Sequence, residues 1–230
     1  MTRARKFGVG CLGVIALVLG IGAGGLFYVS RPDPRFVHAA SIEHAATYQD
    51  PALLERAWAL PVAQLYRAHF DSQGNGSFCG PTSMVDVLRS TGGDADQAHV
   101  LDGSDIRAIF GILPGGITID ELAALARVRL PNRTVTVHRD LDLDALRALA
   151  RRANDPTVRL IANFHRGPLF ARGGGHHSPI GGYLEAEDLV FVLDVNHDYQ
   201  PWLAPTSRLL EAISVVDTAT GRTRGVVSIE

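Results

Sequence analysis

The apolar residues of this chain change their period part-way along it, and that change limits what the chain can fold into. Ahead of Pro156 they recur mostly at helical spacing. "PALLERAWALPVAQLYRAHF" reads as helix broken once at Pro61. "GPTSMVDVLRSTGG" sets Met84, Val85, Leu88 and Thr91 on one face and stops at Gly92-Gly93. "TIDELAALARV" opens with Thr118 and has Glu121 three residues on, a capping-box pattern. "LDLDALRALARR" is helical, with "TVTVHR" an early strand before it. After Pro156 the texture becomes β: "VRLIANFH", then "HHSPIGGYL" and "DLVFVLDV" joined by "EAED", a short helix "TSRLLEAISV", and a closing strand "RGVVSIE". Helices first and antiparallel strands later predict an α+β domain. At 230 residues and 46% hydrophobic, the chain suits one such domain.

The N-terminus speaks about location. Residues 1–6 are basic, with Arg3, Arg5 and Lys6, and residues 7–29 carry no charge. At about 1.5 Å per residue this run is long enough to span the roughly 30 Å of a bilayer's hydrocarbon. Basic residues ahead of it, against Arg31 and Arg35 offset by Asp33 behind it, favour a cytoplasmic N-terminus. The expectation is a single transmembrane anchor with the body on the extracytoplasmic side. Cleavage as a signal sequence at Ala23-Gly24-Gly25 is the alternative. A Pro-rich linker over 30–45 then leads into a catalytic domain over 46–230. Net charge is −2, with no basic footprint for a nucleic-acid partner.

Two cysteines are present, and Cys11 lies in the apolar N-terminal run, so Cys79 stands alone in the body. No intradomain disulfide and no Cys-x-x-Cys zinc ribbon is available. "SFCGPTS" puts Cys79 where a helix begins, since Pro81 fits a first turn that needs no N–H. Unpaired backbone donors and the positive end of the helix dipole there favour a thiolate nucleophile. Gln73, six residues earlier, is placed to share an oxyanion hole with the Cys79 backbone N–H.

A thiol nucleophile needs a base and a group to orient it. Nine histidines are available. His176 and His177 differ from the rest because a strand pair follows them. Asp194 ends the apolar strand "LVFVLD", so its carboxylate needs a buried partner. Alternation puts the two histidines on opposite faces. A three-residue turn would bring His176 to the face of Asp194, and a four-residue turn would bring His177. Strand alternation alone leaves both open.

The block "GHHSPIGGYLEAEDLVFVLDV" resembles the catalytic block of phytochelatin synthases, Gly-His-Phe-Ser-Pro-Ile-Gly-Gly-Tyr followed by Leu-Asp-Val. "SQGNGSFCG", "GGITIDELAALA" and "PWLAPTSRLLEAISVVDTATGRTRG" extend the resemblance, in order, over roughly Leu60 to Glu230. It implies a papain-like fold with a Cys-His-Asp triad of Cys79, His176 and Asp194, and Gln73 as oxyanion residue; His177 takes the family's aromatic position. It also implies glutathione as substrate. The thiolate would release glycine and pass a γ-glutamylcysteinyl group to a second glutathione, giving phytochelatin, or to water. Arg166, Gly175, Ser178 and Tyr183 are the expected substrate-binding residues. Arg166 or Arg172 would meet the substrate's glycine carboxylate. No cofactor is expected to be required; cadmium or zinc would act as a glutathione thiolate complex or activator.

The chain departs from the family in two places. A cysteine-rich C-terminal domain of the plant kind is not expected here, and the chain reads Asn196-His197 where the family has Ala-Arg. Both changes weaken the expected hold on an anionic acceptor and so favour hydrolysis. Two other readings compete. One is a papain-like cysteine peptidase of the bacteriocin-leader-processing type, whose Gln…Cys-Gly-Pro start is similar. The other is a zinc-binding module built from His176, His177, Asp194 and His197.

Overall fold

The computed structural model describes Leu17, residues 19–22 and residues 34–230. The anchor expected over 7–29 falls almost wholly outside these residues. Among the described residues, no helix is long and apolar enough to cross a membrane.

The body opens with two short helices, α1 (Pro51–Trp58) and α2 (Pro61–Arg67). Each has proline in its first turn, and Asp50 caps α1 by accepting from the Leu53 N–H. Helix α3 (Cys79–Ser90) follows a loop and stops as expected: Gly92 turns left-handed at φ 84°, and the Gly93 N–H returns to the Leu88 carbonyl. In α4 (Ile119–Arg129), Thr118 and Glu121 make both capping-box bonds. Strand β1 (Val135–His138) and helix α5 (Leu143–Arg152) complete this half.

The second half supplies β2 (Arg159–His165), α6 (Arg166–Phe170), β3 (Gly175–Leu184), β4 (Leu189–Val192), β5 (Trp202–Pro205), α7 (Thr206–Ile213) and β8 (Gly225–Ile229), with a small hairpin of β6 (Val216–Asp217) and β7 (Arg222–Thr223) before the last strand. The main sheet runs β1-β8-β2-β3-β4-β5, antiparallel throughout. Its order explains the residue pattern. Ile161, Phe191 and Leu193 face a core shared with α1 to α4, whereas Leu160, Phe164, Val190 and Val192 face a second core shared with α5 and α7. A strand buried on both faces reads as a continuous apolar run rather than as alternation.

Packing also begins earlier than the expected boundary at residue 46. Ile42 is buried in the second core, and the Phe36 ring lies 5.1 Å from that of His165. A Cβ at Gly167 would fall 2.0 Å from Phe36, so glycine is what admits the ring. The expected linker is therefore part of the packed body from Phe36 onward.

Candidate active site

Cys79 is the first residue of α3 and is buried. Gly80 lets it come close. A Cβ there would lie 2.6 Å from the Ile117 side chain and 3.5 Å from the His177 ring. The helix start thus sits directly over β3, between that strand and the loop ending at Ile117.

The register of β3 against β4 decides which histidine meets Asp194. Leu184, Tyr183 and Gly182 oppose Leu189, Val190 and Phe191, so residues 185–188 form a four-residue connection. That turn length alone would select His177. The next pair is Ile180 with Val192, because a bulge leaves Gly181 without an opposite number. One inserted residue moves every later position to the other face. His176 consequently points at Asp194, with Nε2 2.9 Å from Oδ1. His177 points the other way, and its Nε2 lies 2.9 Å from the Ile117 carbonyl and 3.1 Å from Asn163 Nδ2. Glycine is required at the bulge, since a Cβ on Gly181 would stand 2.9 Å from Phe191.

Asp194 is fully engaged. Oδ1 accepts from Arg166 Nη2 at 2.8 Å and the Asn196 N–H at 2.9 Å besides His176, and Oδ2 accepts from Trp202 Nε1 at 2.8 Å. Burial alone would raise its pKa, but the His176 and Arg166 charges and their hydrogen bonds hold it far below the ordinary carboxylate value. Burial likewise pushes the Cys79 thiol up. The charge and hydrogen bond of His176, the His177 backbone N–H and Arg166 outweigh it, and the thiol ends below its usual value. For His176, burial and Arg166 disfavour the cation, while Asp194 and Cys79 favour it and prevail. The thiol is lowered and the imidazole raised, and both shifts act in the direction of a thiolate–imidazolium pair.

Gln73 belongs to the loop just ahead of α3. Its backbone N–H donates to the Val195 carbonyl at 2.8 Å, and Nε2 donates to the Asn75 carbonyl at 2.9 Å, leaving a second amide proton uncommitted. Its Oε1 is buried and without a partner. The loop is thus stitched to the residue that follows Asp194, which puts it at the same end of the sheet as the thiol.

The family description of phytochelatin synthase matches residues 39–226. The chain belongs to the phytochelatin synthase family. Curated relatives include glutathione gamma-glutamylcysteinyltransferase 1 of Triticum aestivum, 29% identical over 179 residues, and glutathione gamma-glutamylcysteinyltransferase 3 of Lotus japonicus, 30% identical over 179 residues. Both alignments cover 70% of this chain but only 34% and 36% of the relatives, so the chain spans about a third of their length. Among solved structures, one described as a C39-like peptidase from Bacillus anthracis aligns with a TM-score of 0.50 at 15% identity, covering 70% of this chain and 93% of that one. That likeness shows a papain-like, C39-type fold and nothing about substrate.

Within this phytochelatin synthase family member, the expected substrate-binding residues divide. The Arg166 guanidinium is buried, with Nη2 bonded to Asp194, Nη1 without a partner, and the group stacked 3.7 Å from the Tyr199 ring centroid. Arg172 is exposed and paired with Glu43. Ser178 is fully buried and accepts from the Val195 N–H at 3.3 Å, so it braces the strand end beneath the site. Tyr183 lies at the far end of β3, its hydroxyl on Asp188 at 2.6 Å, because six strand residues separate it from His176. Gly175 does border the site. His197 is exposed and pairs with Asp198, so it does not converge with His176, His177 and Asp194.

One pair escaped sequence reading. Arg224, just ahead of β8, is buried beside Gly175, where a Cβ would fall 2.4 Å from its guanidinium. Its Nη1 lies 3.4 Å from Asp217 Oδ2 and 3.4 Å from Asn163 Oδ1, and its Nε has no partner. Its charge and that of Cys79 influence each other. The available signal was a cation and an anion bracketing one hairpin in "VDTATGRTR".

Proposed function

We propose that the chain is a γ-glutamylcysteine dipeptidyl transferase and hydrolase acting on glutathione, with Cys79 as nucleophile, His176 as acid and base, Asp194 as its orienting group and Gln73 as oxyanion donor. The observation that carries this reading is a lowered thiol at a helix start, facing a histidine held by a carboxylate with four donors. The Cys79 thiolate attacks the cysteinyl carbonyl of glutathione, while the Gln73 amide and the Cys79 N–H stabilise the oxyanion. His176 gives its proton to the departing glycine amine, leaving a γ-glutamylcysteinyl thioester on Cys79. It then takes a proton from the incoming nucleophile, either water or the α-amino group of a second glutathione. The Arg224–Asp217 pair supports a γ-glutamyl substrate, because one cation and one anion match the α-carboxylate and α-ammonium of that group. The names of the curated relatives support the same substrate.

Hydrolysis to γ-glutamylcysteine is the favoured outcome in this reading. Transfer needs a second, oriented glutathione, and orientation is where most advantage over water arises. His197 stands where the family carries arginine and is already paired with Asp198. Cadmium or zinc would enter bound to glutathione thiolates. The charge-free run over 7–29 behind three basic residues supports a membrane-anchored body outside the cytoplasm. The test is incubation of the purified chain with glutathione, with and without cadmium, and identification of products by mass. Glycine with γ-glutamylcysteine as main product is expected, and His197→Arg should shift the ratio toward phytochelatin. Cleavage of peptides with glutathione untouched would favour the peptidase reading instead.

A further inference from the structure

The loop carrying Gln73 has little regular structure, yet its backbone is held at each step. The Asp71 N–H donates to Asp86 Oδ1 at 2.9 Å, and the Gln73 N–H donates to the Val195 carbonyl. Two further contacts come from one side chain. Gln97 Nε2 donates to the Ser72 carbonyl at 2.9 Å, and Gln97 Oε1 accepts from the Gly74 N–H at 2.9 Å. A single amide therefore grips the residues immediately before and after Gln73. The same Oε1 accepts from Thr82 Oγ1 at 3.0 Å. Thr82 is fully buried in the first turn of α3, three residues after Cys79. Gln97 thus joins the chain on both sides of Gln73 to the helix that starts at Cys79.

That geometry matters because an oxyanion hole made of the Gln73 amide and the Cys79 N–H has its two donors on different segments. Their separation must match one oxygen atom, and donors act only when 2.7–3.1 Å from where the charge develops, by the general geometry of such holes. The connection between residues 73 and 79 contributes through the Asn75 carbonyl, which accepts from Gln73 Nε2 and the Phe78 N–H, while Gln97 holds the backbone on both sides of Gln73. We propose that Gln97 is a positioning residue that sets the Gln73 amide against the Cys79 N–H. The proposal rests on the reading of Gln73 as oxyanion donor and adds the residue that makes it one.

The test compares Gln97→Ala and Gln97→Glu with the native chain. Removing an oxyanion donor outright costs about 10²–10³ in kcat, so a donor left misplaced should lose about 10-fold to 100-fold in kcat, with KM little changed. Gln97→Glu keeps acceptors for Gly74 and Thr82 but cannot donate to Ser72 when ionised, and should fall between. Alkylation of Cys79 by iodoacetamide, which reads the thiolate alone, should proceed at the native rate in both variants. Hydrogen exchange at the Gly74 amide should lose protection in Gln97→Ala, a measurement that needs no substrate. Native kcat in Gln97→Ala would overturn the proposal. So would an equal loss of alkylation and turnover, which would mark a general collapse of the site. If the native chain releases no glycine from glutathione, the substrate reading falls; unchanged Gly74 exchange would still independently sink the Gln97 contact.

Discussion

The two halves of the site are placed by different kinds of information. Cys79 is positioned locally: a proline in the first turn, a glycine at the contact with β3, and a helix whose end is marked by Gly92-Gly93. His176 and Asp194 are positioned by register, and the register depends on one bulged residue at Gly181. Short-range signals fix where a nucleophile emerges, whereas pairing between strands fixes which neighbour it meets. The nucleophile side should therefore fail by chemistry and the base side by geometry.

The largest effect belongs to the nucleophile. Cys79→Ser should remove glycine release, because a hydroxyl does not gain the anionic character that His176 and the His177 N–H confer on the thiol. Circular dichroism should remain native. Residual turnover of more than a few per cent of native would break the assignment.

The adjacent histidines sharpen the comparison next. His176→Ala should lower kcat/KM by about 100-fold or more, the usual effect of losing a general base. His177→Phe should leave turnover per folded molecule within a few-fold. It should instead destabilise the chain by about 1–3 kcal/mol, since the Ile117 carbonyl loses its buried donor. Equal kinetic losses at both positions would contradict the observed register.

Gly181→Ala probes the bulge itself. The new methyl would press on Phe191 and Leu193, overpacking that typically costs about 1–3 kcal/mol. Relief by closing the bulge would rotate His176 away from Asp194, and a displacement of ~1 Å near chemistry costs about 100-fold. Denaturant melts and kcat together measure both effects. Native kcat in Gly181→Ala would show that the bulge does not control the base.

The smallest effects are on stability and depend on pH. Burial holds His177 down to about 4, whereas an unfolded histidine titrates near 6.5. Between those values the unfolded chain binds more protons, so this residue's contribution is full above about pH 6.5 and declines toward pH 4, by up to roughly 3 kcal/mol. Asp86 behaves oppositely. Burial, with Asp71 adding to it, raises its pKa to about 8 against the Asp71 N–H bond and Arg89. The folded state keeps a proton that the unfolded state loses near pH 4, and stability falls as pH rises from about 4 toward 8. Asp86→Asn, which still accepts from Asp71, should then gain at least ~1 kcal/mol at pH 8 and little at pH 4. Chemical denaturation at the two pH values checks both signs.

How much was legible follows the same division. Both halves of the α1–α2 break, the α3 boundaries, the Thr118 capping box and the apolar strands were readable because each is written in neighbouring residues. So was the position of Cys79. The choice between His176 and His177 came from family resemblance, since strand alternation left both open and the observed four-residue turn alone would select His177; the adjacent glycines Gly181-Gly182 were the signal, as glycine inside a strand marks a bulge. The bond from Arg166 to Asp194 was not readable because it joins the end of β2, where α6 begins, to a residue 28 positions on. Arg224 was missed for a related reason: β8 inserts between β1 and β2, carrying a residue from the end of the sequence to the side of Gly175.

The most direct test of a thiol from the helical half served by a base from the sheet half is the acylated intermediate. Native chain mixed with glutathione and quenched in acid within one turnover should gain one γ-glutamylcysteinyl group, mapped by peptide mass to Cys79. His176→Ala should gain it far more slowly, and His177→Phe should acylate at nearly the native rate per folded molecule. Glycine released with no adduct at Cys79, or an adduct that forms equally fast without His176, would contradict the account.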